Sequence, residues 1–591
     1  MKTPIFSRAG LLAVLVAIAT AALQGLGVAL TVINNKDNAP STALIAGSLR
    51  WAIANTPASG LVDFAPALKG NTIVLKAGQL VVDKSLTIRG LGCGNLTVSG
   101  NTVSRVFFVG GTATNPGLPN VILSDMTITR GNAVGPVFPA NVNASNGGGI
   151  HNAGTLQLLR VCVTGNTASL GSGGGIYNRG TLSSVTECTV SYNNAGQNGG
   201  GIFDEQDMTI IRSAICNNIA GGNGGGIQEA GTANYINSTI SNNRATGSGG
   251  GVNDPGYATL NTYNVTIADN TAGDGGGLAT QAPGNSWALA NTIVANNSAT
   301  TNADIANPFG FPVSVANGHN LVRNTNGGTL GGLDPSDITG VDPKLGPLQN
   351  NGGPTLTMAL LPGSPAIDKG ANGNVLASMT TDQRTFMVRI INGGISLTVD
   401  IGAYEYTTAR GLKNEAIADL TPCLSSTNCK TRLRAAAAIL RIQRSLTPAL
   451  WVNDTTLTRC GELVFEKEEE AAYIIQKIIM ESPDMACVQQ AIYAAEDLVL
   501  ADEQLARAAI AAALAANGNA SKIQDAKNEL VTAQSYLAKQ DYKGTIEHYE
   551  HAWVRAEEAQ GIKEDEDCCR ALKKQWEHDG DDDDDHDDDC N

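Results

Sequence analysis

The sequence predicts a right-handed parallel β-helix over residues 61–406, followed by a small α-helical region and an acidic, disordered tail. Three observations predict this fold. A Gly-Gly-Gly-aliphatic motif recurs every 25 or 26 residues, an Asn-x-Ala motif follows it in constant phase, and short β-prone runs lie between clusters of glycine and asparagine. One such unit cannot bury its own apolar side, whereas stacked units form a continuous interior.

Residues 1–33 are predicted to be a signal peptide or a signal anchor. Lys2 and Arg8 precede an apolar run at residues 11–33, which is the secretory pattern, and Ala21 is a candidate cleavage site. The run is close to the roughly 20 residues that span a bilayer, so an uncleaved anchor remains the alternative. Both predict a secreted or cell-surface protein that contacts a membrane only through an uncleaved segment.

Residues 41–110 are predicted to form the N-terminal capping segment and the first coils, and residues 111–300 hold repeats of 25–27 residues. The aliphatic residue that ends each glycine motif is expected to point inwards. Stacking of the coils would place these residues in one column. The column consists of Ile150, Ile176, Ile202, Ile227, Val252 and Leu278.

The second motif places an asparagine at one corner of every coil. An amide side chain both donates and accepts, so stacked asparagines can bond to the coils above and below. Neighbouring glycines supply the positive φ angles that such turns need. The expected ladder consists of Asn166, Asn193, Asn218, Asn243, Asn270 and Asn297.

The segments that flank the repeats carry ordered motifs. They are GSLRWAI at 47–53, DPKLGPL at 342–348, GSPAID at 363–368, TDQR at 381–384 and DIGAYE at 400–405. The repeats resemble coils of the polymorphic outer-membrane-protein type, and residues 301–406 are similar to the closing segment of the choice-of-anchor Q family of exported bacterial proteins. The resemblance covers about 360 of the 591 residues.

This resemblance implies export and a β-helix, and it implies no catalytic residues. The sequence departs from the family pattern after TDQR, where TFMVR at 385–389 replaces the usual glycine and proline.

Charge and composition limit the possible activities. The net charge of −16 argues against a nucleic-acid partner, because phosphate binding needs a basic surface. A lyase for acidic sugars needs cations and a strong base, yet residues 141–300 contain no lysine, four arginines and one histidine. A hydrolase needs two carboxylates that face the scissile bond. The candidates are Asp204, Asp207 and Asp254, for which solvated turn positions are the favoured interpretation.

Residues 411–577 are predicted to be helical, with separate helices at 431–444, 466–481, 484–516, 521–539 and 542–560. In the last of these helices, His548 and His551 have a spacing that can ligate a metal, although a solvated polar surface is the favoured interpretation.

The cysteines suggest several bridges. Cys423 with Cys429 and Cys460 with Cys487 are plausible pairs in the helical region. Cys162 and Cys188 fall at equivalent positions of adjacent coils, where they are either bridged or, as we favour, simply buried.

Residues 578–591 form the predicted disordered tail, with eight aspartates in nine positions from 581 to 589. Carboxylates are hard oxygen ligands, so loose calcium binding is the weak alternative to no cofactor. It would involve Asp581, Asp582, Asp583, Asp584 and Asp585.

The sequence thus favours an exported, non-enzymatic surface protein that serves adhesion or binds an extracellular glycan or surface protein. A polysaccharide-active hydrolase or lyase on the same scaffold is the alternative.

Overall fold

The computed structural model describes residues 29–37, 44–112, 115–133, 145–256, 258–282, 286–307, 318–326, 334–379, 381–385, 398–563 and 566–578. It confirms the predicted fold class, a parallel β-helix of about nine turns followed by a helical region. The chain divides into two compact units, Met1–Tyr406 and Thr407–Asn591. Residues 579–591 of the predicted tail lie outside the described residues.

Each coil of the first unit contributes strands to three parallel sheets. Sheet I contains two rows of strands, because most coils enter it twice. Its strands are β1 (Ala29–Val32), β2 (Gly60–Phe64), β3 (Asn71–Val74), β5 (Leu86–Arg89), β6 (Leu96–Ser99), β8 (Asn120–Thr129), β10 (Thr155–Thr164), β13 (Thr181–Thr186), β14 (Thr189–Ser191), β17 (Met208–Ile211), β18 (Ala214–Cys216), β21 (Thr232–Ile236), β22 (Thr239–Ser241), β25 (Thr259–Tyr263), β26 (Thr266–Ala268), β29 (Ser286–Ala290), β30 (Ile293–Ala295), β33 (Leu321–Val322) and β34 (Ile338–Thr339).

The other two sheets contain one strand from each coil. Sheet II consists of β4 (Leu80–Val82), β7 (Phe107–Val109), β9 (Ile150–Asn152), β12 (Ile176–Asn178), β16 (Ile202–Asp204), β20 (Ile227–Glu229), β24 (Val252–Asp254), β28 (Leu278–Thr280) and β32 (Ile305–Ala306). Sheet III consists of β11 (Thr167–Ala168), β15 (Asn194–Ala195), β19 (Ile219–Ala220), β23 (Arg244–Ala245), β27 (Thr271–Asp274) and β31 (Ser298–Thr301).

The N-terminal end of the solenoid is covered by helix α1 (Leu49–Asn55). Ser48 caps this helix by accepting a hydrogen bond from the Trp51 N–H, and Leu49, Ala52 and Ile53 pack into the solenoid core. Strand β1 pairs in parallel with β2, so the end of the apolar run at residues 11–33 belongs to the first coil. Residues 1–28 of the predicted export segment lie outside the described residues.

The coils bend at residues with positive φ. In the coil that contains β16, Gly199 (φ 65°), Arg212 (φ 45°) and Asn217 (φ 57°) make three corners. A Cβ atom on the adjacent Gly200 would lie 2.3 Å from the carbonyl oxygen of Gly225. Gly199 is therefore favoured by its backbone angle, and Gly200 is required by the close approach of two coils.

The aliphatic residues of the glycine motifs are buried and stack in register in sheet II. Cα pairing joins Ile150 to Ile176, Ile176 to Ile202, and so on through Leu278. They belong to a continuous apolar core that extends from Val32 to Val322.

The asparagines of the second motif form a continuous ladder. In each step, Oδ1 of one asparagine accepts from the backbone N–H and from Nδ2 of the asparagine one coil earlier, at 2.9–3.0 Å. The first acceptor, Asn166 Oδ1, binds the Gly131 N–H at 2.8 Å. The last asparagine, Asn297, donates to Asp304 Oδ1 at 3.1 and 2.9 Å.

The closing strap, which consists of the described residues 355–379, 381–385 and 398–406, lies along one corner of the coils. Asn237, Asn264 and Asn291 occupy this corner in three successive coils, all with positive φ. Their amides donate to strap carbonyls, at 2.7 Å for Asn237 to Thr381 and at 3.0 Å for Asn291 to Ala371. A short antiparallel hairpin, β35 (Leu345–Gln349) and β36 (Thr357–Leu360), precedes and enters the strap.

The TDQR and DIGAYE motifs make the strap rigid. Arg384 is fully buried, pairs with Asp382 at 2.6 Å, donates to the Glu405 carbonyl and lies 3.8 Å from the Tyr404 ring centroid. Gln383 accepts from Thr239 Oγ1 at 2.7 Å. These motifs, on which the family resemblance rests, therefore hold the closing segment against the coils.

The second unit contains seven described helices and a hairpin, β37 (Trp451–Asn453) and β38 (Thr456–Leu457). The helices are α2 (Ala409–Leu420), α3 (Cys429–Ser445), α4 (Glu462–Glu481), α5 (Met485–Ala515), α6 (Ala520–Leu537), α7 (Tyr542–Ala559) and α8 (Glu566–His578). Helices α3 to α7 correspond to the five predicted helices, whereas α2 and α8 were not predicted separately. Within the described residues, none of the helices combines the length and the apolar composition that crossing a bilayer requires.

The core of the helical unit contains a buried charge cluster. Lys413 Nζ contacts Glu468 Oε2 and lies 2.8 Å from Asp502 Oδ1, and all three side chains are fully buried. Ser445 donates a further hydrogen bond to Glu468. Mutual pairing offsets the large cost of removing these charges from water.

The two disulfides suggested for the helical region are wrong. Cys460 is bonded to Cys569, which lies in α8, and Cys423 and Cys487 are buried free thiols. The prediction paired cysteines that are near one another in the sequence, because the sequence does not show where α8 packs against the other helices.

In the solenoid, Cys162 is bonded to Cys93, whereas Cys188 is a buried free thiol. The register of β10 against β13 shifts by one residue between Leu156 and Gln157, so Cys162 pairs with Thr189 and not with Cys188.

We expect the substitution Asn218→Ala to destabilise the solenoid by about 3 kcal/mol, because it leaves buried donors of Asn193 and the Val190 carbonyl without partners. The measurement is amide hydrogen exchange of peptides from the coils next to Asn218. The exposed Asn194 is the matched control, and Asn194→Ala should change the exchange free energy by less than about 0.5 kcal/mol. Equal effects of the two substitutions would contradict a supporting role for the ladder.

Candidate functional site

A column of acidic side chains lies inside the solenoid. Asp204, Glu229 and Asp254 are the last residues of β16, β20 and β24, and their exposed fractions are 0%, 1% and 1%. Each is two positions after an inward aliphatic residue, so strand alternation turns it inwards too. The column therefore faces the interior and not the solvent.

Amide side chains of two earlier coils continue this column. Asn152 Nδ2 donates to Asn178 Oδ1 at 2.6 Å, and Asn178 donates in turn to Asp204 Oδ1. At the other end, Asp254 accepts from Trp287 Nε1 at 2.9 Å and from the Gly256 N–H at 2.7 Å.

Burial raises the pKa of Asp204 to about 7 and raises the pKa of Glu229 well above its usual value, to which the negative Asp204 also contributes. With both carboxyls ionised, Asp204 Oδ2 has no donor. Protonation of a carboxyl in the column supplies a donor for this oxygen. The column therefore contains two buried acids, Asp204 and Glu229, whose protonated forms are favoured by burial, with Asp254 next to them.

The three predicted catalytic candidates do not converge on an open groove. Asp207 is exposed and accepts from the Thr232 N–H at 3.2 Å, whereas Asp204 and Asp254 point into the interior. The arrangement that we required of a hydrolase at these residues is absent. Glu229 was missed by sequence reasoning, although it stands at the same position after Ile227 as Asp204 does after Ile202.

The outward side of the first row of sheet I carries uncharged polar side chains in successive coils, which we call the polar face. Thr209 pairs with Asn234 and Asn234 with Asn261 in successive coils, and the two amides are joined at 3.1 Å. Neighbouring strands are about 4.8 Å apart, so the side chains repeat at that interval. The polar face consists of Thr155, Gln157, Thr181, Thr209, Thr232, Asn234, Thr259 and Asn261, which are all at least partly exposed.

The closing strap borders this face. Met379 of the strap packs on Ile211 and Ile236 at the far end of the same strands. The strap also covers outward positions of the second row, where Ser241 contacts Met358 and Thr239 contacts Gln383. Within the described coils, the first row is therefore the broader accessible part of sheet I.

The outward side of sheet II carries an aromatic column. The rings of Phe108, His151, Tyr177 and Phe203 stack in successive coils with centroid distances of 5.5, 5.0 and 5.2 Å. Phe108 and His151 are 1% exposed, and burial lowers the pKa of His151, which keeps the ring neutral. Most of this column is therefore buried, and the Tyr177 hydroxyl already donates to Glu205, so the column offers little for a polar ligand.

A polar groove lies at the C-terminal end of the asparagine ladder. It has a cavity volume of about 560 Å³ and is lined by Asn296, Asp304, Arg323 and Asn324, among others. Asp304 accepts hydrogen bonds from Asn297, the last asparagine of the ladder, and from the Asn324 N–H at 2.7 Å. Both of its carboxylate oxygens therefore already have donors.

In the helical unit, the structure brings His548 and His551 together with Glu529. The aspartates of the predicted calcium alternative, Asp581 to Asp585, lie outside the described residues.

Comparisons with known proteins found no matching family model, no similar curated protein and no similar solved structure. The function therefore has to be argued from the surfaces and side chains described above.

We expect Asp204→Asn to change how solenoid stability depends on pH. A folded-state pKa raised from 3.8 to about 7 contributes stability that is fully present below about pH 3.8 and is lost as the pH rises to about 7. Between these limits, the slope of unfolding free energy against pH should be more positive in the variant than in the wild-type protein by about one proton, ~1.4 kcal/mol per pH unit.

The measurement is urea denaturation at a series of pH values, followed by circular dichroism. Asp207→Asn is the matched control, because it removes an exposed carboxyl of the same coil, and it should leave the slope unchanged. Identical slopes for Asp204→Asn and the wild-type protein would show that Asp204 holds no proton in this pH range.

Proposed function

We propose that this chain is an exported, non-enzymatic surface protein that binds neutral glycans through the polar face of its solenoid. The observation that carries the proposal is the polar face itself, in which hydroxyl and amide side chains repeat in register over successive coils. Sugar hydroxyls both donate and accept, and so do these side chains.

The rigidity of the support favours binding. The polar face stands on strands whose opposite sides are packed in the apolar core, and the asparagine ladder and closing strap fix the spacing of the coils. Side chains held in place before binding lose little conformational entropy when a ligand arrives.

The charge of the surface favours neutral sugars. The eight side chains of the polar face are uncharged, the carboxylate of Asp207 lies between Thr181 and Thr232 in the register of the coils, and the protein has a net charge of −16. An acidic polysaccharide would be repelled, since no cation of the face could neutralise it.

Two observations support export. Lys2, Arg8 and the following apolar run have the secretory pattern. The disulfides Cys93–Cys162 and Cys460–Cys569 are typical of proteins that mature in an oxidising compartment. A surface location would give the polar face access to extracellular glycans, as adhesion requires.

The first test is a glycan array probed with the full chain, with mass spectrometry of every bound glycan. Binding of intact neutral glycans supports the proposal. Shorter products would contradict its non-enzymatic part, and selective binding of acidic glycans or of none would contradict the assignment of the ligand.

We expect the double substitution Asn234→Ala and Asn261→Ala to weaken binding of a neutral glycan by about tenfold or more, because each lost hydrogen bond is worth about 1 kcal/mol. The dissociation constant is measured by isothermal titration calorimetry. Thr271→Ala with Ser298→Ala is the matched control, since these exposed residues pair in adjacent coils of sheet III. Equal weakening by both pairs would place the binding site elsewhere.

A further inference from the structure

Helices α6 and α7 form a hairpin in the helical unit. The turn between them ends at Asp541, which caps α7 by accepting a hydrogen bond from the Gly544 N–H at 3.0 Å. Across the hairpin, Gln534 of α6 donates to the Tyr549 hydroxyl of α7 at 3.0 Å. These contacts fix which side chains of the two helices face each other.

Three of the facing side chains carry metal-ligating atoms. Glu529 lies on α6, and His548 and His551 lie one turn apart on α7, so that both imidazoles are on the same side of the helix. One ligand atom from each residue lies within 4.8 Å of the other two. His548 Nδ1 is 2.8 Å from Glu529 Oε2, and the Tyr536 ring packs on the imidazole with centroids 4.8 Å apart.

We propose that Glu529, His548 and His551 bind one divalent transition-metal ion of the Zn²⁺ class. Two imidazole nitrogens and one carboxylate oxygen are a ligand set that Zn²⁺ accepts, whereas Ca²⁺ and Mg²⁺ prefer oxygen ligands alone. His551 is exposed, so water completes the coordination. The ion joins α6 to α7 and stabilises the hairpin by mass action.

The site is distinct from the calcium alternative in the acidic tail. The tail offers mainly carboxylates in a charged run, which favours weak and non-stoichiometric binding of several cations. Binding to the helices should instead be saturable at one ion per chain and should depend on the two histidines.

The test is isothermal titration calorimetry of the full chain with ZnCl₂, together with visible spectroscopy of the Co²⁺-loaded protein. We expect one ion per chain with a dissociation constant of about micromolar or below. The substitution His551→Gln should weaken this binding by about 100-fold and remove the Co²⁺ absorption of a nitrogen-containing site. Because His551 is exposed, this variant keeps its fold, which far-UV circular dichroism checks.

Two control variants separate the site from its surroundings. Glu547→Gln removes a neighbouring carboxylate of the same helix that is not part of the ligand cluster, and His319→Gln removes a histidine of the other unit. Both should bind the ion as the wild-type protein does. The proposal is overturned if the wild-type protein shows no saturable binding at one ion per chain, or if His551→Gln binds Zn²⁺ as tightly as the wild-type protein.

Discussion

The hydrogen bonds between equivalent residues of successive coils are the interaction on which the solenoid depends. In the asparagine ladder, one Oδ1 accepts two hydrogen bonds from the coil before it, and Nδ2 donates to a backbone carbonyl of that coil. The ladder thereby satisfies buried corner groups that β-pairing does not reach. It also sets the phase of each coil, because a slip of one residue would turn the apolar column outwards.

Much of the solenoid could be predicted because each repeat has glycine and asparagine at positions where few other residues can replace them. Positions such as Ile202 and Asn218 recur with constant spacing, and only stacking explains both motifs at once. The identity of the inward polar residues was harder to predict, since Asp204 looks like a turn residue until strand alternation is applied from Ile202. The Cys460–Cys569 bridge was beyond prediction because it depends on helix packing and not on a repeat.

The acid column and the polar face show opposite uses of polar groups on one scaffold. Inside, burial favours the protonated forms of Asp204 and Glu229, which reduces the charge that the interior has to hold. Outside, Asn234 and Asn261 remain partly exposed and can exchange water for a ligand. The residues that point outwards could be identified only once the strand register was known. The polar face was therefore identified from the structure and not from the sequence.

The closing strap has a consequence for the kinetics of folding. Coil-to-coil hydrogen bonds join residues about 25 positions apart, whereas Gln383 meets Thr239 and Ser213 across 144 and 170 positions. Loop closure over such distances is slow, so the coils should form a zipper-like intermediate before the strap docks. Completion of the native solenoid would then be a late event, and its rate would report on docking of the closing strap and not on the repeats.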